Sequence, residues 1–113
     1  MIEDYGFGRI VIDGKTYRQD VIVFPDRVKP NWWRKEGHSL CLEDLKDVLE
    51  DPPEVLVVGT GYAGLMRVPR EVREKLEEMG IRVVVEKTGK AYRTFNRLLS
   101  EGRRVVAALH LTC

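Results

Sequence analysis

Residues 55–64, VLVVGTGYAG, constrain the fold more than any other stretch of the chain. Val55-Leu56-Val57-Val58 is apolar without alternation, so a strand there must be covered on both faces, as in a parallel sheet flanked by helices. Gly59, Gly61 and Gly64 then spell G-x-G-x-x-G, a spacing that cradles a pyrophosphate when a helix begins at the third glycine. Here Leu65-Met66-Arg67-Val68 intervene before Pro69, a residue suited to a first helical turn. The helix starts too late to aim its free N–H groups at a dinucleotide. A chain of 113 residues also lacks room for the second mononucleotide half. The glycines are read as a sharp turn off a buried strand. In the competing dinucleotide reading, Glu86 is the ribose-binding acid.

Around that strand the pattern alternates. Arg9–Ile12 and Thr16–Phe24 flank Asp13-Gly14, which tolerates positive φ, and together they read as an N-terminal β-hairpin. Pro25 and Pro30 punctuate a loop over 26–39 that carries Trp32 and Trp33. Leu42, Leu45, Val48 and Leu49 mark a short helix ended by Asp51-Pro52-Pro53. Val68, Val72, Leu76 and Met79 give a second helix its apolar face, and Gly80 stops it. Ile81–Val85 is the next strand. Thr88 is placed as the cap of a third helix, with Ala91, Phe95, Leu98 and Leu99 inward and Gly102 closing it. Val105–Leu109 is the last strand. The expected architecture is one α/β domain over 1–113: a hairpin, then αβαβαβ, forming a mixed sheet with helices packed on it.

A crossover makes the 55–58 and 81–85 strands parallel, so the loops after them emerge on one edge. Open α/β sheets hold their ligands there. The expected ligand-binding residues are therefore Gly59, Thr60, Gly61, Thr88 and Gly89. Arg67 and Arg93 would supply charge to an anion, and Asn96 a positioning amide.

Other constellations invite chemistry less strongly. His38-x-x-Cys41 and His110-x-x-Cys113 use every His and Cys in the chain, and two nitrogens with two sulfurs suit tetrahedral zinc. His110 and Cys113 differ in parity, however, so a regular strand points them to opposite faces. The favoured reading is structural, with neither metal nor cofactor expected; a Cys41–Cys113 disulfide is the alternative. Neither His–Cys pair has a third orienting group, so no catalytic residue is assigned. Arg27, Lys29, Trp32, Trp33, Arg34 and Lys35 mix cations with aromatics, as single-strand nucleic-acid binders do. A loop anchored on the core by its tryptophans explains the same letters, and a net charge of +1 exerts no general pull on nucleic acid. Lys90, Arg93 and Arg97 form a modest basic stripe, either solvated or facing an acidic protein.

Hydrophobic residues at 43% and charged ones at 33% describe a globular chain with a real core. No apolar run approaches the roughly 20 residues of a membrane span, and Met1-Ile2-Glu3-Asp4 does not open a signal peptide, so a cytoplasmic location is expected. Gln19, Asn31 and Asn96 are the only amide side chains, a thermophile-like scarcity. Self-association as a homodimer is expected through the hairpin and the tryptophan loop, with Trp32 or Trp33 near the contact.

Several blocks carry a family resemblance across nearly the whole chain. They are Tyr5-Gly-Phe-Gly-Arg-Ile10, Asp20-Val-Ile-Val-Phe-Pro25, Trp33-Arg34 with His38, and Val57-Val-Gly-Thr-Gly61. Gly80-Ile81, Thr88 with Ala91, Phe95-Asn96, Glu101-Gly-Arg-Arg-Val105 and His110-Leu-Thr-Cys113 complete the set. The chain resembles the small domain family named after an uncharacterised methanogen protein. That family includes an adipogenesis-associated cytosolic protein and a mitochondrial assembly factor for respiratory complex I. The ending at His110-Leu-Thr-Cys113 looks closer to the adipogenesis-associated branch. The resemblance implies a three-layer α/β fold with a mixed central sheet and no agreed catalytic residue or cofactor. It also implies a protein-binding or adaptor role, with a small-molecule protein or enzyme built on the glycine loop as the alternative.

Overall fold

The glycine-rich loop follows a strand, β6 (Val55–Thr60), that is buried at all six positions and runs parallel to both its neighbours. In the computed structural model, which describes residues 1–113, β7 (Arg82–Glu86) lies on one side of it and β8 (Val105–His110) on the other. β4 (Val21–Val23) pairs antiparallel with β8, through Val21 with Leu109 and Val23 with Ala107. β5 (Val28–Lys29) completes a five-stranded mixed sheet at that edge. The chain thus forms a mixed α/β domain, as its pattern predicts.

Period-2 geometry sends successive side chains of β6 to opposite faces, and two cores result. Leu56 and Val58 join Leu45, Val48, Val72, Leu76 and Trp32 on one side. There the sheet is covered by a 3-10 turn over Leu42–Leu45, by α1 (Lys46–Leu49) and by α2 (Arg70–Glu78). Val55 and Val57 join Ala91, Phe95, Leu98 and Leu111 on the other. That face is covered by α3 (Thr88–Ser100) and by a separate small sheet of β1 (Ile2–Gly6), β2 (Arg9–Ile12) and β3 (Lys15–Tyr17). Gly80 at φ 84° and Gly102 at φ 80° end α2 and α3 in the left-handed conformation that glycine tolerates.

Three expectations change. The stretch 16–24 is two strands in two sheets, because Arg18-Gln19-Asp20 break it. Asp20 turns its carboxylate to the end of β8, accepting from the Leu111 N–H at 2.8 Å, while its carbonyl accepts from Trp32 N–H. β1 extends the hairpin to a third strand, pinned by Asn96, whose amide accepts from Ile2 N–H at 3.0 Å and donates to Ile2 O at 2.7 Å. Met79 leaves the apolar face of α2, being 51% exposed at its C-cap.

Candidate functional site

The loops after β6 and β7 do meet. Gly61 N–H donates to Thr88 Oγ1 at 2.9 Å, and Thr88 N–H donates to Gly61 O at 3.1 Å. The Thr88 hydroxyl donates in turn to His110 O at 2.6 Å, and Thr60 Oγ1 donates to Glu86 O at 3.2 Å. Thr88 therefore stitches three strand ends together and is the first helical residue of α3; Lys87, not Thr88, stands at the N-cap. The carboxylate of Glu86 accepts from Thr94 Oγ1 at 2.7 Å.

What sits over the glycines is the chain's own C-terminal segment. Tyr62 N–H donates to Thr112 O at 2.7 Å and Leu65 N–H to Cys113 O at 2.9 Å. A Cβ at Gly61 would lie 2.5 Å from Cys113 C and from Thr112 O, and one at Gly59 2.7 Å from Leu109. Gly61 is needed for the close approach of that backbone, and Gly59 leaves room for the side chains of Leu109 and Thr88. Of the other expected ligand residues, Gly89 faces open space beside the loops. Arg67 ties its backbone to His38 O and Leu40 N. Arg93 lies over the ring of Tyr92, 5.5 Å from its centre, and Asn96 is committed to β1.

Around the threaded C-terminal segment stands a cluster of aromatics. Tyr5 donates its hydroxyl to Leu111 O at 2.8 Å, and Gly8 N–H donates to the same carbonyl. The Tyr5 ring lies 6.4 Å from Tyr62 and 6.2 Å from Tyr92, and Phe7 packs edge-on to Tyr62 at 5.8 Å. Burial, with the charge of Asp20, pushes the Tyr5 phenol up to about 12. Its outer members are not covered: Phe7 and Tyr62 are each 60% exposed, and Leu65, three residues after Tyr62 in the same loop, is 58% exposed. A contiguous apolar surface of this kind marks a contact site more often than an isolated exposed residue does. The sequence signal was present in Phe7-Gly8 and Gly61-Tyr62, each an aromatic beside a glycine turn. Nothing in the pattern placed them side by side.

A second cluster gathers at the C-terminal end of β8, on His110 and Leu111. Arg34 Nη1 pairs with Asp20 Oδ2 at 2.8 Å, and His110 Nδ1 approaches the same oxygen at 2.7 Å. Arg34 also donates from Nη2 to Gly37 O at 2.9 Å and stacks on Trp32, 4.8 Å from its ring. Burial alone would raise the Asp20 carboxyl, but hydrogen bonds from His110, Leu111 N–H and Arg34 outweigh it and hold the group below its ordinary value. With Arg18, Gln19, His38 and Thr112 these residues line a cavity of about 210 Å³.

The four His and Cys residues separate. His38 and His110 meet edge-to-face at 5.8 Å. Cys41 precedes the 3-10 turn, and Cys113 sits beside Gly61. Both are free thiols, and no group of three or more His, Cys, Asp or Glu is disposed to hold a metal. The tryptophan loop also divides. Trp32 is a core residue donating Nε1–H to Asp44 O at 2.8 Å, whereas Trp33 is 76% exposed and anchors nothing. Its cations are spent on acids, as Arg27–Asp26, Lys29–Asp47, Arg34–Asp20 and Lys35–Glu43. On α3, Lys90 and Arg97 of the basic stripe likewise pair with Glu86 and Glu101.

A mixed sheet covered by helices on one face and by a helix with a small sheet on the other defines a compact α/β class. The chain belongs to the family described as protein of unknown function (DUF498/DUF598), whose model matches residues 2–110. It is 41% identical over 101 residues to NADH dehydrogenase (ubiquinone) 1 alpha subcomplex assembly factor 3 of Danio rerio, covering 87% of this chain and 56% of that one. The Homo sapiens protein of the same name is 33% identical, with 96% of this chain and 59% of that one covered. The chain thus spans little more than half the length of these relatives. An uncharacterized protein of Rhodobacter capsulatus is 32% identical over 96% of this chain and 82% of its own. Among solved structures, a conserved hypothetical protein of Pyrococcus horikoshii OT3 superposes with a TM-score of 0.84 at 28% identity, covering 100% of this chain and 99% of that one.

Proposed function

We propose that this protein is a non-enzymatic binding or adaptor domain that docks a protein partner on the aromatic surface of Phe7, Tyr62 and Leu65. The observation that carries the reading is that exposed cluster, held rigid from beneath by Tyr5 and the C-terminal segment. Aromatic side chains contribute much contact area at small entropic cost, and they are enriched at interface hot spots. Relatives named as assembly factors support the partner-binding part of this reading. The ending at His110-Leu-Thr-Cys113 favours the adipogenesis-associated branch and a cytoplasmic setting as this chain's own case. The small-molecule alternative at the glycine loop is weaker, because the N–H groups of Gly61, Tyr62 and Leu65 already have partners within the chain.

Affinity capture from native lysate with the wild type and with Phe7→Ser/Tyr62→Ser tests the reading. Both positions are exposed, so the double variant keeps its melting temperature within a few degrees while losing the captured protein. Equal capture by both baits would refute the aromatic surface as the docking site.

A second association is favoured by Trp33, whose ring is 76% exposed beside the β5 edge of the sheet. We infer a weak homodimer through this loop. Sedimentation equilibrium should give a mass above that of the 13.0 kDa chain at micromolar concentration, and Trp33→Ser should return it to monomer. A wild type that stays at 13.0 kDa contradicts the dimer.

A further inference from the structure

The segments that build and border the aromatic surface are residues 5–12, 60–70, 87–100 and 110–113. Together they hold none of the chain's 18 Asp and Glu residues but seven of its 19 Lys and Arg. The whole chain has a formal net charge of +1, so the rest of it is net acidic. The acids that flank these segments are already engaged. Asp4 pairs with Arg9 at 2.9 Å, Glu86 accepts from Thr94 Oγ1 and faces Lys90, and Glu101 faces Arg97.

Two cations at the rim have no acid of their own. Lys87 is exposed, and its stem lies along the loop between Tyr62 and Leu65: an ideal Cβ on Gly64 would stand 3.1 Å from Lys87 Cγ and 3.3 Å from its Cε. That packing settles the apolar stem and leaves the ammonium free at the edge of the surface. Arg93, also exposed, lies over Tyr92, and its Nε–H donates to the Tyr92 hydroxyl at 3.3 Å. α3 begins at Thr88, so the partial positive charge of its N-terminus opens beside Lys87 and has the same sign.

We propose that the segment docking on this surface is acidic: an apolar side chain seats on Phe7 and Tyr62, and carboxylates beside it meet Lys87 and Arg93. The inference rests on the docking reading above and adds the chemistry of the partner. The charge pattern favours a short acidic protein segment over nucleic acid or an anionic bilayer. Both of those extend their negative charge beyond the rim, onto surface that is net acidic and repels it. Phe7 and Tyr62 also stand at 75° to each other, which gives stacked bases no continuous platform.

The test titrates the nitrogen-labelled full chain, followed by NMR, with a short capped peptide carrying leucine and phenylalanine between glutamates. Two further peptides have glutamine or lysine in place of every glutamate. The glutamate peptide should bind saturably, move the amide signals of Phe7, Tyr62 and Leu65, and bind roughly tenfold more tightly than the glutamine one. Raising sodium chloride from about 50 to about 300 mM should remove most of that difference. Lys87→Glu/Arg93→Glu should reverse the preference, so that the lysine peptide binds best. Both positions are exposed, and an acid at position 87 suits the N-terminus of α3, so the variant keeps its fold. Phe7→Ser/Tyr62→Ser should abolish binding of every peptide, which checks the docking surface separately. Glutamate and glutamine peptides bound equally at the two aromatic turns would overturn the acidic partner and leave the docking surface standing. Aromatic turns unmoved by the glutamate peptide up to about 5 mM would overturn it too. So would a single-stranded oligonucleotide or a phosphatidylserine vesicle that moves the same signals at lower concentration.

Discussion

Asp20→Asn should lower the unfolding free energy by about 3–5 kcal/mol, measured by urea denaturation at neutral pH. Removing one member of a buried ion pair leaves the other charged and unpaired, and here that member is Arg34, with only 5% of its side chain exposed. The substitution also weakens the acceptor for His110 Nδ1 and for Leu111 N–H, which together lock the end of β8 to the start of β4. Asp26→Asn is the control. Its ion pair with Arg27 is exposed, and its loss should change stability by less than about 1 kcal/mol. The same cluster predicts acid sensitivity. The Asp20 carboxyl is held below its ordinary value in the folded state, so the unfolded chain takes up the proton first. The stabilisation is fully present above the ordinary carboxyl range near pH 4, and it is lost as pH falls through the depressed folded value. Asp20→Asn should flatten that part of the profile. A variant as stable as the wild type would mean that the cluster contributes no net stability.

Gly61→Ala should cost about 2–5 kcal/mol, the sum of backbone strain and overpacking. Gly61 has φ 107°, and its added Cβ would meet backbone atoms of Thr112 and Cys113 at 2.5 Å, where no flexible side-chain tip can yield. The C-terminal segment has to leave its groove, so Cys113 should react faster with a thiol reagent in the variant. Gly14→Ala makes the comparison. Its φ of 80° carries the left-handed penalty of about 1–2 kcal/mol, but its surroundings are open. Equal losses at the two glycines would show that the C-terminal segment does not press on the loop.

Period and punctuation made most of this fold legible. The uninterrupted apolar run at 55–58, the helical spacing of Val72 with Leu76 and of Ala91 with Phe95, and the stops at Gly80 and Gly102 are local signals, and the elements follow them. The break at Arg18-Gln19-Asp20 was not legible, because it is made by Asp20 reaching a residue ninety-one positions away. The same limit applies to the site. Thr60, Gly61 and Thr88 come together because parallel strands deliver them to one edge, which topology predicts. Arg93 and Asn96 were placed near them only by helix membership, and their side chains serve Tyr92 and β1 instead. The occupant of the glycine groove, Thr112-Cys113, lies at the far end of the chain, and no spacing rule connects it to Gly61. Phe7 and Tyr62 are likewise neighbours only in space, 55 residues apart in the chain.

Amide hydrogen exchange on the wild-type chain, alone and in complex with its captured protein, tests the docking surface most directly. The account predicts slowed exchange in the complex at Phe7–Arg9 and Tyr62–Leu65, the two turns that carry the exposed aromatics, with the β7 edge and the 3-10 turn at Leu42–Leu45 unchanged. Protection confined to the β7 edge or to the tryptophan loop, with both aromatic turns exchanging as in the free chain, would contradict it.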